Sequence, residues 1–512
     1  MPDYDKERIQ NESCLDPPLG LSDSSSELPR TLDVGDLDKT LVRGVAWTAA
    51  VKWSIQVFTW GTTVVVARVL LPSDYGLVGL AALYINLLTL FSEFGIGNAV
   101  VTLQDLTGDQ LSQLNSLSLF VGLVGFLASA SGAKLLGKFF RAPDLPLVVI
   151  VLSLGFVISG VRTVPYSLLQ KELRFKLLAF IEGLQGIFQA LVTLVLAFLG
   201  FRYWALVLGI LSFSVTPTCL TLLWRRQSFA FPKLSSIRKA VHYSRRILIG
   251  RLCWASYDNS DFIVAGRVLG EAPLGAYTLA WTLAQTPLEK LTTLINRVTP
   301  SVFAKIQSDS LALRRYLLNI SGFMALVVFP AVIGIALVAD EFVPVILGPK
   351  WNGAILPLEL LALHALIRSN VILLTPLLNA IGEERSVMWN SLIAMIVLPI
   401  TFYIGSHWGT VGIALGWVTV YPLLQLPLFF RTFRRVNLPA SGYLGALWPA
   451  LSSCALMALA IWALKSWHIG FRSPYMNLGF EIIVGIAVYG TILLLFHRNH
   501  LLNMLQFVKA SA

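Results

Sequence analysis

Charged side chains are scarce in this chain of 512 residues. They make up 13% of the sequence, whereas an ordinary soluble domain carries roughly 25%. Hydrophobic residues make up 56%, and the mean hydropathy is +0.71. One soluble core cannot account for so much apolar sequence. Many segments must be apolar over their whole surface, as lipid requires, so the composition indicates an integral membrane protein.

Cysteine is rare as well, and the four thiols match no metal or redox spacing; they are Cys14, Cys219, Cys253 and Cys454. The sequence also lacks a Walker A motif, a His-Glu-x-x-His motif and a Gly-x-Ser-x-Gly motif. The missing P-loop argues against direct use of ATP by this chain. We therefore predict no catalytic residue, no metal, no cofactor and no enzymatic activity.

The N-terminal 43 residues lack the apolar stretch of a signal peptide. They hold ten acidic and five basic side chains, with few apolar ones to offset the entropy of ordering. We predict a disordered, acidic tail over residues 1–43. The excess of basic residues lies further along, in loops between apolar segments, which favours membrane topology over binding of nucleic acid.

Long apolar runs dominate the rest of the chain. About 20 apolar residues span a bilayer as a helix, and this rule predicts about fourteen transmembrane helices. The short loops between them fit helical hairpins and not a β-barrel. The predicted spans lie near residues 44–66, 76–98, 114–136, 145–164, 177–199, 203–223, 245–266, 274–296, 316–338, 355–378, 386–404, 410–430, 444–464 and 478–497. Prolines that kink or break a helix fall within several spans: Pro287, Pro330, Pro376, Pro399 and Pro422.

Loop charge predicts the orientation. With the N-terminus inside, the even-numbered loops and the C-terminus carry 20 Lys and Arg, and the odd-numbered loops carry nine. Both termini are therefore predicted to be cytoplasmic. The longest basic stretch, Arg225 to Arg246, has seven Lys or Arg and no acidic residue. It either reflects topology alone or forms a linker attracted to anionic membrane lipids.

The sequence contains an internal repeat. The segment ARVLLPSDYG at residues 67–76 corresponds to GRVLGEAPLG at residues 266–275. Six predicted spans separate the copies, and an even number gives both halves the same orientation, as in parallel repeats about an axis along the membrane normal. We expect the arginines to anchor the turns and the glycines to allow close backbone passage. An offset of 199 relates Arg68 with Arg267, Gly76 with Gly275, and Lys52 with Arg251.

These motifs resemble a known family. The segment at residues 67–76, the segment DFIVAGRVLG at residues 261–270 and the segment TPSVFAKIQ at residues 299–307 are similar to polysaccharide exporters and O-antigen flippases. This family is part of the multidrug/oligosaccharidyl-lipid/polysaccharide superfamily, and the colanic-acid-type exporters are the most similar. The resemblance covers roughly residues 40–435.

The resemblance implies an all-α membrane protein with two six-helix lobes around a central cavity and two extra helices. Its implied cargo is an undecaprenyl-pyrophosphate-linked oligosaccharide, moved by alternating access across the bacterial inner membrane. Membrane lipids, a polysaccharide polymerase and a chain-length regulator are the implied partners. We accordingly assign residues 1–43 to the tail, 44–225 to the N-lobe, 226–244 to a basic linker, 245–435 to the C-lobe, and 436–512 to the last two helices with a short C-terminal tail.

Ionisable residues within spans are costly, so each is a candidate for function. Lys52 is followed at i+4 by Gln56 in the first span. In the seventh span the polar residues share an arc of about 80° by helical geometry; they are Arg251, Trp254, Asp258 and Asp261. The side chains of Lys52 and Arg251 carry the positive charge that a pyrophosphate needs in a dry cavity. Alternatively Lys52 and Arg251 reach to the interface, or Arg251 pairs with Asp258 for structure.

The tenth span carries His364 and Arg368 at i and i+4. Arg368 is a further candidate for substrate binding, although a pairing with another helix explains it equally well. Asp258, Asp261 and His364 are candidates for binding a coupling cation or proton. The plainer interpretation of His364 is a structural histidine whose hydrogen bonds are satisfied and which has no role in coupling.

Two other functions stay open on the sequence alone. Membrane glycan polymerases and ligases also carry many spans, but they usually place a long polar loop outside. Here the longest predicted outer loop has only about 16 residues, near residues 339–354. A multidrug exporter of the same superfamily would share the repeat.

Overall fold

The computed structural model describes residues 55–231 and 258–500, apart from residues 57, 93–95, 104–105, 173, 468–470, 472 and 499. All of its regular structure within these ranges is helical. The helices are α1 (58–69), α2 (Pro72–Ser92), α3 (Ile96–Thr102), α4 (Gly108–Phe140), α5 (Leu145–Lys171), α6 (Phe175–Phe198), α7 (Tyr203–Trp224), α8 (Ser260–Val268), α9 (Glu271–Lys305), α10 (Ser310–Leu337), α11 (Ile355–Val371), α12 (Leu374–Ala380), α13 (Glu384–Gly405), α14 (Gly409–Arg435), α15 (Ala440–Ser466) and α16 (Pro474–Phe496).

Within the described ranges, nine helical stretches are long and apolar enough to cross a bilayer. Their outward faces carry large apolar side chains such as Leu135, Phe198 and Phe430, which are 66–72% exposed. In water such a surface would be costly, whereas in lipid every backbone group is satisfied inside its helix and the apolar side chains meet acyl chains. The prediction of a polytopic α-helical membrane protein is confirmed.

Local sequence explains where several helices begin and end. Thr107 and Gln110 form a reciprocal capping box at the start of α4. Asp309 caps α10 by accepting from the backbone N–H groups of two residues of its first turn. The tenth predicted span is broken after Val371, because Pro376 has no N–H and its ring excludes the carbonyl four residues earlier.

The longest predicted outer loop is largely helical in the structure. It folds as a short α-helix (Ala339–Phe342), a π-helical turn (Val343–Leu347) and a 3₁₀ turn (Pro349–Ala354). This segment contacts the end of α1. Trp351 Nε1 donates to the Ala67 carbonyl at 2.8 Å, and Lys350 Nζ donates to the carbonyl oxygens of Arg68 and Leu70. The carbonyls that end α1 are thereby satisfied by the second half of the chain.

The two copies of the repeat pack against each other where α2 crosses α9. A Cβ atom on Gly76 would overlap the carbonyl oxygen of Glu271, and a Cβ on Gly275 would overlap that of Pro72. The offset of 199 relates these two contacts to each other. Glycine is therefore required at both positions by close approach of the other helix's backbone. The two contacts are therefore reciprocal, each repeat copy placing its glycine against the backbone of the other.

Ion pairs and charged hydrogen bonds separate the loops into two faces. On the face that contains the Arg68 end of α1, Arg202 lies 3.3 Å from Asp74. On the opposite face, Arg225 lies 3.2 Å from Glu172. Asp74 and Arg202 lie in the first and fifth loops, which are both odd-numbered. Glu172 and Arg225 lie in the fourth and sixth loops, which are both even-numbered. This is the alternation that successive membrane crossings produce.

Candidate functional site

The structure describes five of the eight residues predicted to bind substrate or a coupling ion. Lys52, Arg251 and Trp254 lie outside the described residues. Gln56 lies at the start of the first helical segment, and its Nε2 donates to Thr59 Oγ1 at 3.4 Å. The other four, which come from the seventh and tenth predicted spans, lie in one polar cluster among α8, α9, α11 and α14; they are Asp258, Asp261, His364 and Arg368.

Asp261 is the most enclosed member of this cluster. It lies in the first turn of α8 and is fully buried. Its carboxylate accepts from Tyr277 Oη of α9 at 2.7 Å and from Trp417 Nε1 of α14 at 2.9 Å. It also accepts from the backbone N–H of Phe262 at 2.9 Å. A buried carboxylate with these three donors ties α8 to two neighbouring helices.

Asp258 lies next to Arg368 of α11. Both carboxylate oxygens are 3.3 Å from Arg368 Nη2, and the two side chains are 16% and 17% exposed. The guanidinium also lies over the ring of Trp281, 5.9 Å from its centroid. Arg368 is thus a partner of this carboxylate, while Arg251, the structural partner considered from the sequence, lies outside the described residues. In a largely buried pair of this kind each charge has the opposite charge as its partner, which an isolated charge within a membrane span would lack.

His364 lies one turn before Arg368 and is fully buried. Its ring is 4.5 Å from Trp417 and 5.0 Å from Tyr421, measured between centroids. His364 Nδ1 lies 3.2 Å from Gln285 Nε2. Among the described residues, His364 Nε2 has no hydrogen-bond partner. The ring is thus held by aromatic packing on two sides and by one amide.

A cavity of about 390 Å³ lies beside α1, and its lining includes Thr59, the hydrogen-bond partner of Gln56. Six threonines share its wall, from α1, α6 and α9. The lining also includes one amide and one phenol, so its polar side chains are Thr59, Thr62, Thr63, Thr193, Thr278, Thr282, Gln189 and Tyr75. Sequence analysis passed over these residues because threonine inside an apolar span is common. The spacing of Thr59, Thr62 and Thr63 on one helix face was the available signal.

Within the described ranges, no three His, Cys, Asp or Glu side chains are grouped closely enough to hold a metal ion. The polar cluster instead offers a carboxylate–guanidinium pair, a buried carboxylate and a buried imidazole, all on helices of the second half. The threonine cavity offers uncharged oxygens between the two halves. The arrangement suits binding of a charged and polar solute within a membrane rather than a covalent reaction.

Comparison with known proteins identifies the family. The family described as "Polysaccharide biosynthesis protein" matches residues 65–356, which is more than half of the chain. The lipopolysaccharide biosynthesis protein WzxC of Escherichia coli (strain K12) is 28% identical over 413 residues, covering 78% of this chain and 82% of WzxC. The succinoglycan biosynthesis transport protein ExoT of Rhizobium meliloti (strain 1021) is 23% identical and covers 92% of this chain and 96% of ExoT.

Two solved structures share the fold. The inward closed conformation of the lipid II flippase MurJ superposes with a TM-score of 0.67 at 12% identity, over 89% of this chain and 100% of MurJ. An inward-facing multidrug resistance transporter of the MATE family gives a TM-score of 0.58 at 17% identity, over 76% of this chain and 98% of the transporter. The chain therefore belongs to the polysaccharide biosynthesis protein family, in the exporter and flippase branch of the superfamily that its repeat motifs resemble.

Proposed function

We propose that this protein moves a lipid-linked oligosaccharide across the bacterial inner membrane by alternating access, for polysaccharide biosynthesis and export. The observation that carries the proposal is the crossing of α2 and α9, where the two copies of the repeat meet through Gly76 and Gly275. A reciprocal contact between repeat-related helices is a place where two halves can rock against each other around a central site. ExoT is named as a transport protein and MurJ as a flippase, which supports transport over glycan polymerisation.

The proposed architecture has fourteen transmembrane helices. Residues 44–225 form an N-lobe, residues 245–435 form a C-lobe, and residues 436–512 add two helices outside the repeat. The described helices α2 to α7 and α9 to α16 overlap the spans on which this division rests.

The charged residues are assigned complementary roles. Lys52, Arg251 and Arg368 bind the pyrophosphate of the cargo, with Gln56 and Trp254 beside them. Asp258, Asp261 and His364 couple transport to a cation or proton. The pairing of Arg368 with Asp258 supports this assignment, because a guanidinium that already has an anion partner can exchange it for a phosphate oxygen as the cargo arrives.

An export assay tests the proposal. In a strain without the chromosomal copy of the gene, the normal protein should restore surface polysaccharide. Lys52→Ala or Arg251→Ala should reduce export about tenfold or more, since a hydrogen bond to a charged group contributes about 1.5–3 kcal/mol. Lys52→Glu or Arg251→Glu should abolish export, while protein remains in the membrane.

Arg434→Glu is the matched control, because Arg434 is an exposed cation at the end of α14. It should export normally. Normal export by both the Lys52→Glu and the Arg251→Glu variants would overturn the cationic binding site. Formation of longer glycan chains by the purified protein, without a partner enzyme, would instead identify a polymerase.

We also infer that both termini are cytoplasmic, and that the Arg68 face is the outer one. The loop charges set this orientation. Reporter domains fused within residues 225–245 and at the C-terminus should both report the cytoplasm. A fusion within residues 339–354 should report the outside. A periplasmic signal from either of the first two fusions would contradict the orientation.

A further inference from the structure

We propose that the threonine cavity binds the saccharide part of the cargo, and that the pyrophosphate is bound elsewhere. This inference rests on the proposed function and adds that two parts of the cargo are bound at two different sites. Within the cavity lining there is no Asp, Glu, Lys, Arg or His. An uncharged wall within the membrane-spanning part gives a pyrophosphate no counter-charge, whereas a sugar needs none.

The threonine hydroxyls of the wall have used their protons and keep only acceptor capacity. Each of the six threonines donates its proton to a backbone carbonyl of its own helix, three or four residues earlier. The distances are 2.9 Å for Thr59, 3.0 Å for Thr62, 2.9 Å for Thr63 and 2.8 Å for each of Thr193, Thr278 and Thr282. With their protons used in this way, the hydroxyl oxygens can make further hydrogen bonds only as acceptors, and the Thr59 oxygen already accepts from Gln56 Nε2.

The threonine oxygens select for donors, and the Gln189 amide of the same lining can both donate and accept. Every free sugar hydroxyl carries a proton to donate, so a saccharide matches the lone pairs of the threonines. A pyrophosphate presents acceptor oxygens and negative charge, so it would leave those lone pairs unsatisfied and be repelled by them. The apolar part of the lining, which includes Val66, Leu206, Ile210 and the ring of Tyr75, suits the C–H faces of sugar rings.

Size and position support the same assignment. The volume of about 390 Å³ lies within the usual range of ligand pockets, about 300–1,000 Å³. Thr59, Thr62 and Thr63 belong to the first half of the chain, whereas Thr278 and Thr282 belong to the second. Gly79 leaves room for this meeting, since a Cβ there would lie 3.2 Å from Thr278 Oγ1. Movement of one half against the other would therefore change how the saccharide is held.

The test compares two lipids on the full-length protein in nanodiscs. The first is the undecaprenyl-pyrophosphate-linked repeat unit purified from cells that lack this transporter. The second is undecaprenyl pyrophosphate without sugar. The double variant Thr63→Val/Thr282→Val keeps side-chain shape but removes two acceptors. Its Kd for the glycosylated lipid should rise about tenfold or more, at about 1 kcal/mol per hydrogen bond, and its Kd for the sugar-free lipid should stay unchanged.

Two control variants sharpen the result. Thr63→Ser/Thr282→Ser keeps the oxygens and should restore the affinity for the glycosylated lipid. Thr419→Val removes an exposed hydroxyl of α14 that has the same backbone hydrogen bond but lies outside the cavity lining, and it should bind both lipids normally. An equal loss of affinity for both lipids, or no loss for either, would overturn the saccharide site but would not contradict the proposed flipping function. Failure of the normal protein to bind either lipid would contradict the proposed function itself.

Discussion

Replacing Gly275 or Gly76 with alanine should destabilise the protein by about 3 kcal/mol or more, the upper part of the range for overpacking. The added methyl group would overlap a backbone carbonyl oxygen, that of Pro72 or of Glu271. A backbone atom cannot turn away as a side chain can, so α2 and α9 would have to separate. Because stability totals only about 5–15 kcal/mol, much of the protein should aggregate or be degraded. Size-exclusion chromatography after a temperature ramp measures the loss.

Gly334→Ala provides a control with the opposite expected sign. Gly334 lies inside α10, and a Cβ there would meet no atom within 4 Å. Alanine in a helix interior is favoured over glycine by about 0.5–1 kcal/mol, so this variant should be as stable as the normal protein or more so. If Gly275→Ala and Gly334→Ala had the same thermal stability, the close crossing of α2 and α9 would be wrong.

Asp261→Ala is expected to have the second large effect. The change removes the acceptor of two buried side-chain donors, Tyr277 Oη and Trp417 Nε1. Leaving each donor unsatisfied costs about 1–3 kcal/mol, and a cavity forms in addition. The links from α8 to α9 and α14 would be lost, so both thermal stability and export should fall. Thermal ramps on purified protein and the export assay measure the two effects.

Asp261→Asn separates the structural role from ion coupling. Asparagine keeps the volume and one acceptor oxygen but loses the negative charge, so its stability should lie much closer to that of the normal protein. If Asp261 also couples transport to an ion, this folded variant should lose the dependence of flipping on an ion gradient. Normal thermal stability of Asp261→Ala would show that the carboxylate does not hold these helices together.

The sequence by itself determined the properties that depend on neighbouring residues along the chain. Apolar runs predicted membrane helices, because a span of lipid has to be matched by about 20 apolar residues wherever the helix packs. Several prolines predicted kinks or breaks: α11 and α12 are separated just before Pro376, because the missing N–H and the ring act within one turn, whereas Pro330, Pro399 and Pro422 lie inside continuous helices. The repeat could be found at an offset of 199, because a sequence repeat depends only on the order of the residues.

The tertiary structure decided which distant residues meet. Sequence spacing placed Asp258 on one predicted helix face, but it could not show that Arg368, 110 residues away, lies 3.3 Å from its carboxylate. The aromatic surroundings of His364 and the threonine cavity likewise come from helices far apart in the chain. Periodicity gives the face on which a side chain lies, whereas its partner depends on how helices pack, and many packings satisfy the same apolar pattern.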